Sequence, residues 1–231
     1  NFCQVETFMI ERPQSSAQQE ARCPVCENAE LVPFREVGQQ TYFRCGQCEA
    51  TVMASECRLS GSRERAVYEL HNNNADDPGY RRFLSKLAQP LLGQVSPGAQ
   101  GLDFGCGPGP ALASMLAEAG LHMTLYDPFF YPDAAALDRQ YDVITCTEVV
   151  EHLHHPAEVF RMLDSLLRPG GCLGIMTCFQ TDDARFDNWH YRRDPTHVVF
   201  YREQTFRWLA QHYGWDLEIP VKDVVLLRKS L

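Results

Sequence analysis

Gly101-Leu102-Asp103-Phe104-Gly105-Cys106-Gly107-Pro108-Gly109-Pro110 is a short apolar run that enters a glycine-dense turn and opens onto the helical stretch Leu112 to Ala119. Glycines at 105, 107 and 109 let the backbone take positive φ and approach a ligand closely. The unpaired N–H groups of the helix that follows face the same place. Such a turn suits a nucleotide-like cofactor, but dinucleotide and phosphate sites share it, as does a tight turn with no ligand. Two acids narrow the choice: Asp103 lies inside the leading strand, and Asp127 ends the next one, Leu121 to Tyr126.

Outward from this turn, apolar residues recur at helical spacing in four places. They are Tyr80 to Leu91, Leu112 to Ala119, Val159 to Leu166, which stops at Arg168-Pro169-Gly170-Gly171, and Phe206 to Tyr213. Between them come Gly101 to Gly105, Leu121 to Tyr126, Tyr141 to Thr145 and Cys172 to Thr177, each short and apolar enough for a buried strand. Alternating helices and strands argue for an α/β domain whose parallel sheet carries helices on both faces. Trp215 to Ile219 and Asp223 to Arg228 close the chain as two strands with no helix between them.

Upstream, Cys23-Pro24-Val25-Cys26 and Cys45-Gly46-Gln47-Cys48 form two Cys-x-x-Cys knuckles, separated by a stretch within the roughly 15–20 residue range of zinc ribbons. Four thiolates complete a tetrahedral Zn²⁺ site with no open position, so the metal is read as structural. Leu31 to Phe34 and Thr41 to Phe43 read as strands around a turn at Gly38. The ribbon, residues 21–60, either braces the rest of the protein or grips part of a substrate. Its charges nearly cancel, so no basic stripe marks a nucleic-acid face. Residues 1–20 begin at Asn1 rather than a methionine and are set aside as an N-terminal segment of uncertain order.

The glycine turn with Asp103 and Asp127, and the paired strands at the end, resemble class I (Rossmann-like) S-adenosylmethionine (SAM) methyltransferases over roughly residues 64–229. The resemblance implies a doubly wound, mostly parallel sheet closed by an antiparallel hairpin in a domain of residues 61–231, with a helical lid at 61–97. It implies SAM as cofactor and S-adenosylhomocysteine as product. Asp127 would accept both ribose hydroxyls, which suits a carboxylate with two oxygens. Asp103 would order the glycine loop and the methionine ammonium, while Gly105, Cys106 and Gly107 approach the sugar and methionine. Tyr68 and His71, in the lid, and Pro128, Phe129, Thr147 and Glu148, at strand ends, complete the cofactor set. One departure stands out: Pro128 to Gln140 is too short for the usual helix, edge strand and helix, so that edge strand is expected to be reduced or absent. Phe129, Phe130 and Tyr131 then either stack on adenine or plug the sheet edge.

Thr147-Glu148-Val149-Val150-Glu151-His152 places Glu148, Glu151 and His152 three and four apart, on one side of a helical turn. With His197 in Asp194-Pro195-Thr196-His197, this set is similar to that of small-RNA 3′-terminal 2′-O-methyltransferases and ubiquinone-pathway O-methyltransferases. That resemblance implies a second metal, Mg²⁺, Mn²⁺ or Zn²⁺, on Glu148, Glu151, His152 and His197, able to acidify an acceptor hydroxyl. Without a metal, His152 or His197 is the general base, with Glu151 beside them. Arg185, Trp189, His190, Tyr191, Arg192 and Arg193 form a basic, aromatic loop expected to wall the acceptor pocket and to favour an anionic or aromatic acceptor.

Composition bounds these readings. The 231 residues are 45% hydrophobic with a formal charge of −9, which disfavours non-specific nucleic-acid binding. No apolar run approaches the roughly 18 residues that span a bilayer, and no signal-peptide order is present, so a cytoplasmic protein off the membrane is expected. The remaining cysteines of the ten are scattered and read as reduced thiols. The sequence therefore points to methyl transfer from SAM to an oxygen of a small acceptor. An RNA-modifying enzyme gripping RNA through the ribbon, or a SAM-binding regulatory protein without catalysis, are the alternatives. Oligomeric state is open.

Overall fold

The computed structural model of the chain describes residues 22–68 and 74–231. Residues 1–20 and His71 of the sequence reading lie outside the described residues.

The ribbon begins with β1 (Leu31–Val37) and β2 (Gln40–Cys45), joined through Gly38 at φ +63°. A third strand, β3 (Thr51–Met53), was not legible in the sequence and pairs antiparallel with β2. The Cys45–Cys48 knuckle is the turn between β2 and β3. The fourth strand of this sheet comes from much later in the chain: Thr51 pairs with Phe200 and Val52 with Val199.

Two helices follow. α1 (Gly61–Tyr68) buries only Glu64 fully, whereas α2 (Pro78–Leu92) buries Leu84, Leu87 and Leu91. Asp77 caps α2 by accepting from the Tyr80 N–H at 2.6 Å, with Pro78 at the first helical position, where its missing N–H costs nothing.

The large sheet is built from β4 (Gln100–Phe104), β5 (His122–Tyr126), β6 (Tyr141–Thr147) and β7 (Leu167–Met176), with α3 (Ala111–Glu118) after β4 and α4 (Pro156–Leu166) after β6. The two-residue β8 (Val199–Phe200) leaves to join the ribbon, then α5 (Glu203–Tyr213) leads to β9 (Trp215–Glu218) and β10 (Val224–Lys229). The strand order is β5-β4-β6-β7-β10-β9. β5, β4, β6 and β7 pair in parallel, and β10 runs antiparallel to both β7 and β9, so the expected closing hairpin extends the sheet beyond β7 with β9 at its edge. One boundary differs from the sequence reading: β7 takes in Pro169-Gly170-Gly171, because Leu167 pairs with Tyr141 and a register shift follows. Among the described residues no strand lies outside β5. Asp127 and Tyr131 close a small bridge, a 3₁₀ turn spans Ala134–Leu137, and the chain returns directly to β6.

Neighbouring strand residues face opposite layers, which gives the central strands their unbroken apolar runs. Val143, Cys172 and Leu226 pack with Leu87 of α2 and Leu116 of α3. Ile144, Leu173 and Leu227 pack with Phe160 of α4 and Phe206 of α5, in one cluster with the four knuckle cysteines. The ribbon thus shares a core with one face of the large sheet. No described helix is long and apolar enough to cross a membrane.

Candidate active site

A cavity of about 320 Å³ opens beyond the carboxyl ends of β4, β5 and β6, where open α/β sheets hold their ligands. The glycine turn forms its floor. Gly105 has φ +73°, and a Cβ there would fall 2.5 Å from Cγ2 of Val149, so both conformation and space demand glycine. Asp127 binds the turn to the end of β5: its Oδ2 accepts from the Gly107 N–H at 3.1 Å, and its Oδ1 accepts from Phe129 and Phe130 at 2.8 and 3.0 Å. Burial raises its pKa while these amides oppose the rise. Asp103 lies beneath, accepting from Thr145 Oγ1 at 2.7 Å and from the Ala113 amide of α3. Burial pushes it up to about 6. Burial, aided by Asp103 and Asp127, also holds the Cys106 thiol protonated, which suits a small loop residue rather than a nucleophile.

The other end of the cavity is imidazole and carboxylate. His152 Nδ1 donates to the Thr196 carbonyl at 3.1 Å and His197 Nδ1 to the Tyr191 carbonyl at 2.7 Å. Carbonyls only accept, so both rings carry their proton on Nδ1 and a lone pair on Nε2. The rings lie edge to face, 4.6 Å apart between centroids. Beneath them Glu151 is fully buried, accepting from Thr177 Oγ1 at 2.9 Å and, through a short contact, from the Tyr191 hydroxyl. The same hydroxyl reaches Glu148 Oε2 at 3.2 Å. Burial and the Glu151 charge push Glu148 up to about 9, so it holds a proton at neutral pH. Its backbone is left-handed at φ +51°, a strained state for a residue with a side chain.

The four-residue metal set is redrawn by this geometry. Ligand atoms of Glu151, His152 and His197 lie within 4.8 Å of one another, and Glu148 is not in that group. The reason is local: Glu148 sits in a left-handed turn before the single 3₁₀ turn Val150–His152, so no helical face aligns it with Glu151 and His152. The donor set of two imidazoles with anchored Nδ1–H groups and one hydrogen-bonded carboxylate fits a divalent metal.

The knuckles fit zinc. Cys23 Sγ is 3.6 Å from Cys48 Sγ and Cys26 Sγ is 3.5 Å from Cys45 Sγ, with all four within 4.8 Å and buried. Tetrahedral Zn–S bonds near 2.3 Å require sulfur separations of about 3.8 Å.

Of the residues singled out in the sequence, Tyr68, Asp103, Gly105, Cys106, Gly107, Asp127, Phe129, Thr147, Glu148, His152 and His197 line the cavity. Pro128 and Glu151 do not. The basic loop behaves differently from expectation. Arg192 is buried against the ribbon, donating to Gln40 Oε1 at 2.8 Å and Tyr42 OH at 3.2 Å, and Arg185 pairs with Asp182 in solvent. Neither lines the cavity, and Tyr191 acts from behind it. Tyr80 and Leu84 of α2 and Asp194 do line it and were not proposed. Asp194 lies three residues before His197 and 3.9 Å from its Nε2, a sequence spacing that signals the pairing.

A family model described as a methyltransferase domain matches residues 77–218, well over half of the 231 residues. The chain is similar to the ubiquinone biosynthesis O-methyltransferase of Aeromonas salmonicida (strain A449), 35% identical over an alignment 100 residues long that covers 33% of this chain and 42% of that protein. It is also similar to the ubiquinone biosynthesis O-methyltransferase of Serratia proteamaculans (strain 568), 37% identical over 76 residues, or 32% of each chain. The match thus spans less than half the length of either relative. Among solved structures, Burkholderia thailandensis 1,6-didemethyltoxoflavin-N1-methyltransferase, with 1,6-didemethyltoxoflavin and S-adenosylhomocysteine bound, gives a TM-score of 0.51 at 17% identity, over 87% of this chain and 100% of that one. That likeness is one of fold. Together with the sheet order, the family match shows that this chain belongs to the methyltransferase-domain family and has the class I methyltransferase fold.

Proposed function

We propose that the protein is a SAM-dependent methyltransferase that methylates a hydroxyl of a small, uncharged or cationic acceptor. The observation that carries this reading is the juxtaposition in one cavity of the glycine turn with Asp127 at one end and the anchored His152–His197 pair at the other. SAM would supply an electrophilic methyl carbon on a sulfonium: an oxygen lone pair can bond to that carbon as the carbon–sulfur bond breaks and S-adenosylhomocysteine leaves. Asp127 would hold the ribose diol, and Asp103 would order the turn from below. Phe129 and Phe130 flank the same region, which supports a stacking surface for adenine where the edge strand is missing.

Near the acceptor, Nε2 of His152 or His197 takes the hydroxyl proton as the oxygen attacks, and the Nδ1 contacts to backbone carbonyls stabilise the imidazolium formed. A divalent metal on Glu151, His152 and His197 would instead acidify the bound hydroxyl. Asp103, Asp127 and Asp194 line the cavity together with the protonated Glu148, and among its described lining there is no Lys or Arg. This composition supports a neutral or cationic acceptor over the anionic one suggested by the loop sequence. The similarity to ubiquinone biosynthesis O-methyltransferases supports oxygen as the methylated atom.

The test is incubation with methyl-labelled SAM and a fractionated extract. Label is expected in neutral or basic small molecules. Label confined to RNA or to protein would overturn the acceptor class, and no transfer at all would overturn catalysis.

A further inference from the structure

The ribbon has no part in the chemistry just described, yet it is joined to the acceptor end at three points. The second knuckle, Cys45 to Cys48, forms the β2–β3 turn, and the Cys45 N–H donates to the Ala50 carbonyl at 2.9 Å. β3 then holds β8, and the Met53 N–H donates to the Val198 carbonyl at 2.8 Å. The N–H of Val198 donates in turn to the Glu151 carbonyl at 2.8 Å. His197 immediately precedes this ladder.

The second join is Arg192, buried in an acidic protein. Its guanidinium is held by Gln40 and Tyr42 of β2 and by the Asp187 carbonyl at 3.1 Å. Tyr191 is the adjacent residue, and it touches both halves of the site: its hydroxyl meets Glu148 and Glu151, and its carbonyl fixes His197. The third join is Thr51 of β3, which accepts from Arg44 Nε at 2.9 Å and donates to Gln180 Oε1 at 2.7 Å, anchoring the start of the same loop. By contrast, among the described residues no hydrogen bond joins Asp103, Asp127 or the glycine turn to the ribbon.

We infer that the ribbon is a positioning element for the acceptor end alone, acting through Arg192 and β8, so that the placement of Tyr191 and His197 depends on a filled four-cysteine site. Arg192 is the positioning residue, because its planar guanidinium satisfies several acceptors at once where an ammonium would satisfy fewer. The SAM end is built by β4, β5 and α3; Leu102, Phe104 and Tyr126 share the apolar cluster of the knuckle cysteines, but no hydrogen bond among the described residues ties the glycine turn or its acids to the ribbon. The inference rests on reading the imidazole end as the acceptor end.

The test uses the full zinc-loaded chain and its Arg192→Gln and Arg192→Lys variants, with amide hydrogen exchange and SAM calorimetry as readouts. In Arg192→Gln, exchange at residues 190–198 should rise about tenfold while exchange in β4 and β6 is unchanged and SAM affinity stays within about twofold; Arg192→Lys should recover part of the protection. Stripping zinc from the wild type with a chelator should raise exchange at residues 190–198 more than in β4 and β6. Unchanged exchange at 190–198 would overturn the inference, as would a uniform rise across both sheets, which marks a general brace. Labelled-methyl transfer by the unmutated protein is read separately. Its failure would sink the functional reading while leaving the exchange pattern to decide the coupling.

Discussion

Glu64 Oε1 lies 2.8 Å from His154 Nε2, and both side chains are buried. Glu64 is the fully buried residue of α1, the helix whose last residue, Tyr68, sets its ring edge-on to His152 at 5.3 Å. α1 is therefore docked by a polar contact rather than an apolar stripe. Glu64→Ala leaves His154 buried without this partner, at a cost of about 1–3 kcal/mol. Denaturant unfolding should show that loss and calorimetry should show weaker SAM binding, with Glu64→Gln closer to wild type on both. Wild-type SAM binding in Glu64→Ala would show that the contact does not hold α1.

Asp127→Ala should weaken SAM about a hundredfold, the equivalent of one or two hydrogen bonds to a charged group. Asp127 also ties Gly107 to β5, and Asp127→Asn, whose amide has a single accepting oxygen, serves as a companion that keeps either the Gly107 contact or the Phe129 and Phe130 contacts but not both. Calorimetry reads both. Unchanged affinity in the alanine variant would remove the ribose assignment.

Asp103 gives a pH dependence whose sign can be worked out. Its ordinary value of 3.8 is raised to about 6 in the fold, chiefly by burial. Above about 4 the unfolded chain has released this proton and the native protein has not, so the native state binds more protons and loses stability as pH rises toward 6. The loss is about 3 kcal/mol and complete above that window. Wild-type stability relative to Asp103→Asn should fall between pH 4 and 6 and then level off. A flat difference would mean that Asp103 is ionised throughout.

Metal analysis should find one tightly held zinc per chain. A loss of even about 3 kcal/mol on its removal lowers the melting midpoint by roughly 6–12 °C in a chain of this size. A chain that binds no zinc and melts unchanged with chelator would refute the ribbon site.

What could be read from the sequence was what local pattern determines. Gly105 and Asp127 are fixed by a strand-to-helix turn, and the absent edge strand follows from the short stretch between Asp127 and Tyr141. The acceptor end was harder. Glu148, Glu151 and His152 were placed on one helical face, but a left-handed residue at Glu148 breaks that periodicity. Tyr191 meets Glu148, Glu151 and Thr177 only because a loop folds back across the sheet. Arg192 looked like a substrate contact from its neighbours' charge, and its true partners, Gln40 and Tyr42, are too distant in sequence for composition to reveal.

The pairing of Thr51 with Phe200 also bears on how the molecule is made. Roughly 150 residues separate these partners, a long loop to close before the pairing repays its entropy. During synthesis the knuckles can gather zinc early, but β3 leaves the ribosome with one edge bare and waits for most of the chain to emerge. The ribbon is the first part of the described protein to be made and one of the last to be finished.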